Sequence, residues 1–199
     1  YERALALKPD FAKAHRGVGN LMRDMHRPAE SLAAFERARA LDPKDPDLIL
    51  DHAHAKLFAG DFIGGFKDYE ARWQSKEMRP RSFAEPRWNG ENAPGKVLLI
   101  HGEQGFGDNI QFVRFVDEAA RRVGRVILEV RAPLVNLMKA LVTSRPVTVV
   151  EQGDSLGKFD FQIPMLSLPL AFGTTVETVP PPARFALDPD RAAVWRERL

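Results

Sequence analysis

An aromatic residue returns every 34 positions in the first part of the chain. The segment "YERALALKPD" begins at residue 1, "FERARALDPK" begins at residue 35, and "YEARW" begins at residue 69. Pro9 and Pro43 keep the same spacing. A fixed period of this length indicates a repeated supersecondary unit whose copies bury their apolar faces only by stacking on one another. Residues 1–75 are therefore expected to form a stack of similar units.

The period resembles that of the tetratricopeptide repeat, a pair of helices repeated every 34 residues. Ala4 and Ala38 supply a small residue three positions after the aromatic one, whereas Arg72 stands there in the third copy, which also lacks the proline. The resemblance implies all-α helical hairpins over residues 1–75, with the array ending near residue 73.

Local signals agree with helix pairs. Helices are predicted over 10–26 and 28–42. Asp45 is a good N-cap for the helix that follows it, and the step from Gly60 to Asp61 is suited to ending that helix and capping the next. An ordinary helical bundle is the alternative, but it leaves the 34-residue register to coincidence.

Four polar side chains follow one stripe of the first complete repeat, because they step by three, four and three residues: Lys13, Arg16, Asn20 and Arg23. By resemblance to tetratricopeptide repeats this stripe lines the groove, where it would bind an extended or acidic peptide through charge-assisted hydrogen bonds. The alternative is a solvated basic face. His52 and His54 are too close in sequence to share a helix face, and no third ligand is apparent, so we predict no metal site.

A stretch rich in proline, glycine and charge, residues 76–96, is predicted to be a linker. Arg79, Arg81 and Arg87 near Trp88 raise the possibility of nucleic-acid contact by stacking and phosphate pairing. A charged linker whose Trp88 packs onto a neighbouring domain is the preferred interpretation. The net charge of +2 is also poor evidence for nucleic acid, so no nucleic-acid partner is predicted.

After the linker, short apolar runs alternate with amphipathic segments. Strands are predicted at 97–100, 125–130, 147–150 and 159–165, and helices at 109–123 and 133–142, with Gly124 ending the first helix. Such alternation with short connections indicates an α/β domain with a mainly parallel, doubly wound sheet. We expect this Rossmann-like domain over residues 97–199, with any ligand beyond the carboxyl ends of the strands.

The segment "HGEQGFGDNIQFVRF" (101–115) leaves the first of these strands and is the best site candidate. Asp108 occupies the place of the lysine in a phosphate-binding P-loop, and no Ser or Thr follows it, which excludes that motif. The glycine spacing does not match the dinucleotide fingerprint, although Glu129 lies where an acidic ribose partner would be expected, so a nicotinamide-binding domain stays an alternative. No nucleophile elbow of a serine hydrolase is present.

Three segments together carry a resemblance: "PRWNGE", "VLLIHGEQGFGDNIQFVRF" and "IPMLSLPLAFGTT". They resemble bacterial tetratricopeptide proteins with a glycosyltransferase-like domain, which is similar to heptosyltransferases of the GT-B fold. The overall layout is similar to that of O-linked N-acetylglucosamine transferase. GT-B enzymes pair two Rossmann-like domains, the first for the acceptor and the second for the nucleotide-sugar donor. The resemblance implies that this chain holds the N-terminal, acceptor-side half.

The resemblance assigns a role to the loop. In the heptosyltransferases the aspartate of a Gly-Asp step after the first strand is thought to be the catalytic base, and Gly107-Asp108 matches that step. We expect His101 and Glu103 to orient Asp108, and Gln104 and Gln111 to bind a sugar. The remaining substrate-binding candidates are Gly102, Gly105 and Gly107, which let a ligand approach closely, and Ser167. Alternatively, Asp108 only N-caps a helix that begins at Asn109.

The resemblance also limits what these residues can do. A second GT-B domain would begin where "DPDRAAVWRERL" ends the sequence, so we expect a piece of a longer protein that is inactive by itself. A nucleotide-sugar donor and a sugar or protein acceptor are expected only for the full-length protein. The alternative is a non-catalytic scaffold or peptide-binding module with a degenerate α/β domain. There is no cysteine and no apolar run of the ~18 residues needed for a membrane span; we expect a cytoplasmic protein.

Overall fold

The computed structural model of the chain describes residues 1–75, 78, 80–103, 105–186 and 188–198. These residues form two compact units. The first comprises Tyr1–Ser82 together with Gly173–Val179, and the second comprises Phe83–Phe172 together with the chain from Pro180 onward. The first unit is helical and the second combines helices with a sheet.

The helices of the first unit are α1 (Glu2–Leu7), α2 (Ala12–Asp24), α3 (Pro28–Leu41), α4 (Pro46–Phe58) and α5 (Phe62–Tyr69), followed by a 3₁₀ turn at Glu70–Gln74. The start of α4 lies 34 residues after the start of α2, and the start of α5 lies 34 residues after the start of α3. Residues 10–73, all of which are described, contain no strand. The prediction of a helical first part is confirmed.

Small residues allow the helices of this unit to approach each other. Gly19 on α2 faces Phe35 on α3, and a Cβ added to Gly19 would lie 2.8 Å from the ring of Phe35. Ser31 Oγ donates a hydrogen bond to the carbonyl oxygen of Gly19 at 2.9 Å. Phe35 and Ala38 are fully buried. The 34-residue pattern therefore marks the positions at which α2 and α3 pack.

The predicted helix caps of α4 and α5 are present. The Asp45 carboxylate accepts from the backbone N–H groups of Asp47 and Leu48, and the Asp61 carboxylate accepts from that of Gly64. Gly60 has a φ of 91°, a conformation that costs glycine little and other residues more. Each cap satisfies amide groups that the first turn of a helix leaves without partners.

The helices of the second unit are α6 (Phe106–Phe112), α7 (Val116–Arg122), α8 (Ala132–Lys139), α9 (Leu168–Ala171) and α10 (Pro189–Arg198). Its strands are β1 (Ala93–His101), β2 (Val123–Val130), β3 (Val147–Glu151) and β4 (Phe161–Pro164), with 3₁₀ turns at Val113–Phe115 and Met165–Ser167. The sheet order is β3-β2-β1-β4, and every neighbouring pair is parallel. The predicted α/β domain with a parallel sheet is confirmed at this level.

The second unit begins inside the stretch predicted to be a linker. Arg87 forms an isolated parallel bridge with Gln162 of β4. Trp88 is fully buried, its Nε1 donates to the carbonyl oxygen of Glu91 at 3.0 Å, and its ring meets that of Phe172 edge-on. A tryptophan packed in this way offers no face on which a base could stack.

Two predictions made for the segment between β1 and β2 differ from the structure. The helix predicted from Asn109 begins at Phe106, and a 3₁₀ turn separates it from α7. Gly124 does not end the helix, because β2 already begins at Val123. Gly124 is required by close packing instead, since a Cβ there would lie 2.5 Å from the carbonyl oxygen of Pro94 on β1. Among the described residues, no helix has the length and apolar character needed to cross a membrane.

Candidate functional site

The order of the strands determines where the second unit can bind a ligand. From β1 the chain proceeds to β2 and β3 on one side, then returns to β4 on the other side of β1. In parallel sheets, ligands bind beyond the carboxyl ends of the strands where the strand order reverses. Gly102, Glu103 and Gly105, which follow β1, and the 3₁₀ turn Met165–Ser167 after β4 flank this switch point.

Buried polar side chains gather at the same edge of the sheet. Those described in the second unit are His101, Glu103, Asn109, Glu129 and Ser167. Each lies at or just beyond the carboxyl end of β1, β2 or β4. Because burying a polar group costs free energy unless it is hydrogen-bonded, such a concentration at one edge indicates either a binding site or a rigid support for one.

His101 ends β1 in register with Glu129 of β2 and Pro164 of β4. Its Nε2 lies 3.2 Å from the Oε1 of Gln162, and its ring packs on that of Phe83 with 5.2 Å between centroids. The histidine is therefore held by both its hydrogen bond and its ring contact. Its buried position makes it a support for the loop rather than a side chain presented to solvent.

Glu103 connects the two loops of the switch point. One oxygen of its buried carboxylate, Oε1, accepts from the backbone N–H of Leu166 at 3.1 Å. This bond links the loop after β1 to the 3₁₀ turn after β4. Ser167, buried in that same turn, lies on the β4 side of the switch point. The structure thus places His101, Glu103 and Ser167 at the same edge of the sheet.

Asn109 is the most completely buried of the polar residues on α6, with 1% of its surface exposed. Its Nδ2 donates to the carbonyl oxygens of Glu103 at 2.9 Å and Gly105 at 2.5 Å. A Cβ added to Gly102 would overlap its Oδ1. The side chain therefore fills the inside of the glycine-rich loop.

Asp108 lies in the first turn of α6 and is exposed. The prediction that it N-caps a helix from Asn109 is wrong, because Gly105 is the N-cap and takes the extended backbone that this position needs. The carboxylate folds back toward Gly105, where an added Cβ would overlap Asp108 Oδ2. An acidic side chain in the first turn is still favoured by the helix dipole.

The other predicted residues of this loop divide into two groups. Gly107 and Gln111 are exposed on α6, and a Cβ added to Gly107 would meet no atom within 4 Å. Gly102 and Gly105 lie against Asn109 and Asp108, so they are close-packed instead of open. Gln104 lies outside the described residues.

Two residues that the sequence analysis missed also contribute to this edge. Asn109 falls on the same helical stripe as Val113, Val116 and Ala120, all of which are buried, and an amide on an otherwise apolar stripe was the signal that could have revealed it. Arg131, which follows β2, places its guanidinium carbon 4.0 Å from the ring centroid of Phe106. This cation–π contact packs the first residue of α6 against the end of β2.

The predicted basic stripe of the first unit is partly neutralised. Arg16 Nε contacts Asp51 Oδ2 of α4 at 2.5 Å, a pairing that the sequence spacing did not reveal. Lys13 is exposed and Asn20 is half-buried, while Arg23 lies 3.9 Å from Asp24. Two of the three basic side chains therefore have an acidic neighbour.

A second polar cluster, the Asp68 cluster, consists of Arg39, His52, Lys56 and Asp68. Asp68 Oδ2 receives Arg39 Nη1 at 2.5 Å, Lys56 Nζ at 3.0 Å and His52 Nδ1 at 3.2 Å. Burial alone would raise the pKa of Asp68, but the hydrogen bonds and charges of Lys56 and Arg39 outweigh it and lower the pKa. The pKa of His52 is lowered by burial and by the charges of Lys56 and Arg39.

One curated relative shares sequence along the whole chain. Protein FlbA of Caulobacter vibrioides is 28% identical over 222 aligned positions, which include all of this chain and 37% of FlbA. The chain thus spans little more than a third of the length of that relative. No family model matches the sequence.

Proposed function

We propose that the second unit is the acceptor-side half of a GT-B glycosyltransferase, attached to tetratricopeptide repeats and active only within the full-length protein. The observation that carries this proposal is the position of Asp108. Its exposed carboxylate stands at the switch point of a parallel sheet, beside a loop that buried polar side chains hold in place.

The proposed chemistry needs a proton acceptor at this point. An acceptor hydroxyl is a poor nucleophile until a carboxylate within hydrogen-bond distance takes its proton. As that proton moves to Asp108, the hydroxyl oxygen bonds to the anomeric carbon of the donor sugar. The bond from that carbon to the nucleoside diphosphate breaks, and the diphosphate leaves with the electron pair. The open space at Gly107 would admit the acceptor beside the carboxylate.

The test compares Asp108→Asn with Asp154→Asn, which changes an exposed carboxylate after β3. Asparagine removes the proton-accepting carboxylate and no N-cap, so we expect the melting temperature to stay nearly constant. Loss of the charge in the first turn costs about 0.3–1 kcal/mol at most. Turnover in Asp108→Asn should fall by roughly 10²–10⁴, the usual contribution of general-base assistance, while Asp154→Asn keeps wild-type turnover.

Turnover is measured in the full-length protein as transfer of labelled sugar from UDP-, GDP- and ADP-sugars into a lysate of cells lacking the protein. Release of nucleoside diphosphate is followed in parallel. Wild-type turnover in Asp108→Asn would rule out the catalytic base. Absence of transfer from every donor by the wild-type protein would favour a non-catalytic scaffold instead.

A role in peptide binding is the second candidate function, favoured by basic side chains near the two ends of α2, the exposed Lys13 and the half-buried Arg23. Lys13 and Arg23 are the side chains through which we propose that the repeats bind an acidic peptide. Arg16 is held by Asp51 at 2.5 Å, whereas Arg23 lies 3.9 Å from the exposed Asp24, a distance that leaves it able to contact a peptide. The double charge reversal Lys13→Glu/Arg23→Glu should weaken binding of a labelled oligoglutamate peptide, and more so at low salt. Fluorescence anisotropy measures this, with Arg37→Glu on exposed α3 surface as the control. Unchanged affinity in the double variant would show that the stripe is a solvated surface and does not bind the peptide.

A further inference from the structure

We infer that Asn109 is the positioning residue that sets where the Asp108 carboxylate lies; this inference rests on the proposed function. The two residues are adjacent in α6 but differ completely in exposure. Asp108 is exposed, whereas Asn109 is 1% exposed. A buried side chain next to an exposed carboxylate can fix the backbone that carries that carboxylate without touching a substrate.

Asn109 donates three hydrogen bonds to two carbonyl oxygens of the loop. Its backbone N–H donates to the carbonyl oxygen of Gly105 at 3.1 Å, and its Nδ2 donates to the same oxygen at 2.5 Å. The second hydrogen of Nδ2 is directed to the carbonyl oxygen of Glu103 at 2.9 Å. Because the carboxylate of Asp108 folds back over Gly105, fixing Gly105 also fixes the surface against which that carboxylate rests.

The orientation of the amide follows from its partners. Two carbonyl oxygens face one terminal atom of Asn109, and only its nitrogen can donate to both. Its Oδ1 is then turned toward Gly102, where it is buried and makes no hydrogen bond within the described residues. A buried acceptor without a partner costs free energy. An apolar residue would suit the stripe formed with Val113 and Val116 better, so the amide is explained by what its nitrogen holds.

Gly102 also helps to hold the loop that Asn109 fixes. Gly102 N–H donates to the carbonyl oxygen of Glu129 at 2.7 Å, which joins the loop to the end of β2. The absence of a side chain at this glycine leaves room for Asn109 Oδ1. Gly102 thus connects the loop to the end of β2, and Asn109 connects it to the first turn of α6.

The test uses the full-length protein with Asn109→Ala and the milder Asn109→Ser. The control is Asn136→Ala, which changes an exposed asparagine of α8. Both Asn109 variants should speed amide hydrogen exchange locally, at residues 103–107. They should lower kcat for sugar transfer by about tenfold to a hundredfold, the size of effect expected when a catalytic group is displaced by about 1 Å. KM for the sugar nucleotide should stay within about twofold, because the donor is not bound here.

A double-mutant cycle separates positioning from an independent effect. If Asn109 acts through Asp108, adding Asn109→Ala to Asp108→Asn should lower turnover no further. Additive losses would overturn the inference, as would wild-type kcat in both Asn109 variants, or a kcat loss that only tracks loss of folded protein. Failure of the proposed function is recognised separately, because Asp108→Asn alone would then leave turnover unchanged.

Discussion

Gly102 and Gly105 belong to one loop, but a side chain added at each position would overlap atoms of a different kind. A Cβ on Gly102 would overlap Asn109 Oδ1 and approach the carbonyl oxygen of Glu129 at 3.2 Å. Neither atom can move easily, because the Asn109 side chain is held through its Nδ2 and the Glu129 carbonyl oxygen accepts from Gly102 N–H. A Cβ on Gly105 would overlap only the end of the exposed Asp108 side chain, which can rotate away. The same substitution at the two positions should therefore have different consequences.

We expect Gly102→Ala to lower the free energy of unfolding by about 1–3 kcal/mol, as overpacking in a close-packed region does. Gly105→Ala should cost up to about 1 kcal/mol, the difference between glycine and alanine as an N-cap, but should displace the Asp108 carboxylate and so lower sugar transfer. Urea unfolding and turnover on the same preparations measure both effects. Gly95→Ala is the matched control, since a Cβ there meets no atom within 4 Å. Equal stability loss at 102 and 105 would contradict this account.

At the scale of the helices, the Asp68 cluster joins three elements of the first unit. Arg39 lies on α3, His52 and Lys56 on α4, and Asp68 on α5. Three hydrogen-bonding groups converge on one carboxylate oxygen that is largely shielded from water. The cluster therefore couples the packing of these helices to the protonation of its members.

The pKa shifts in the cluster make the stability of the helical unit depend on pH. Because the pKa of folded His52 is lowered from 6.5, the unfolded chain binds more protons as pH falls below 6.5. The contribution of His52 to the free energy of unfolding should therefore be greatest above that pH and should decline below it. Asp68, whose folded pKa is lowered from 3.8, adds a further loss as pH falls through its folded pKa. Urea titrations of the helical signal between pH 7.5 and 5 measure the first effect.

His52→Gln should flatten this pH dependence, because the titrating imidazole is gone. His54→Gln is the matched control, since His54 lies two residues away on the exposed side of α4. A slope that persists in His52→Gln would assign the pH dependence to other groups.

The elements also show which parts of the molecule could be predicted. The starts of α3, α4 and α5 were anticipated from the repeat and from the cap signals at Asp45 and Asp61, whereas α2 begins two residues after its predicted start at residue 10. The start of α6 was missed, because it depends on the contact of the Asn109 side chain with the loop rather than on local propensity. Likewise, the Arg16–Asp51 pair joins residues 35 apart and has no local signal. Patterns of burial and the local caps at Asp45 and Asp61 could be predicted, whereas polar contacts between residues distant in sequence could not.

At the scale of the whole molecule, the two units distribute their buried polar side chains differently. In the second unit they lie at the carboxyl edge of the sheet, while the described interior of β1 and β2 is apolar, with Leu98, Leu99, Val126 and Leu128 fully buried. In the first unit those described are dispersed, because only His52 belongs to the Asp68 cluster, while Ser31, Arg72 and Thr174 are buried elsewhere. Burying polar groups costs free energy. Their concentration at one edge of the sheet therefore favours that edge as the functional site.

The division of the chain into units has a consequence for how such a protein can change by recombination. Seven residues, Gly173–Val179, belong with the helices although they follow the whole sheet in sequence. Thr174 among them is buried. A crossover between residues 82 and 83 would give a new partner to the helices but deprive them of a piece of their own unit. A recombination event that transfers the complete helical unit must therefore carry both Tyr1–Ser82 and Gly173–Val179.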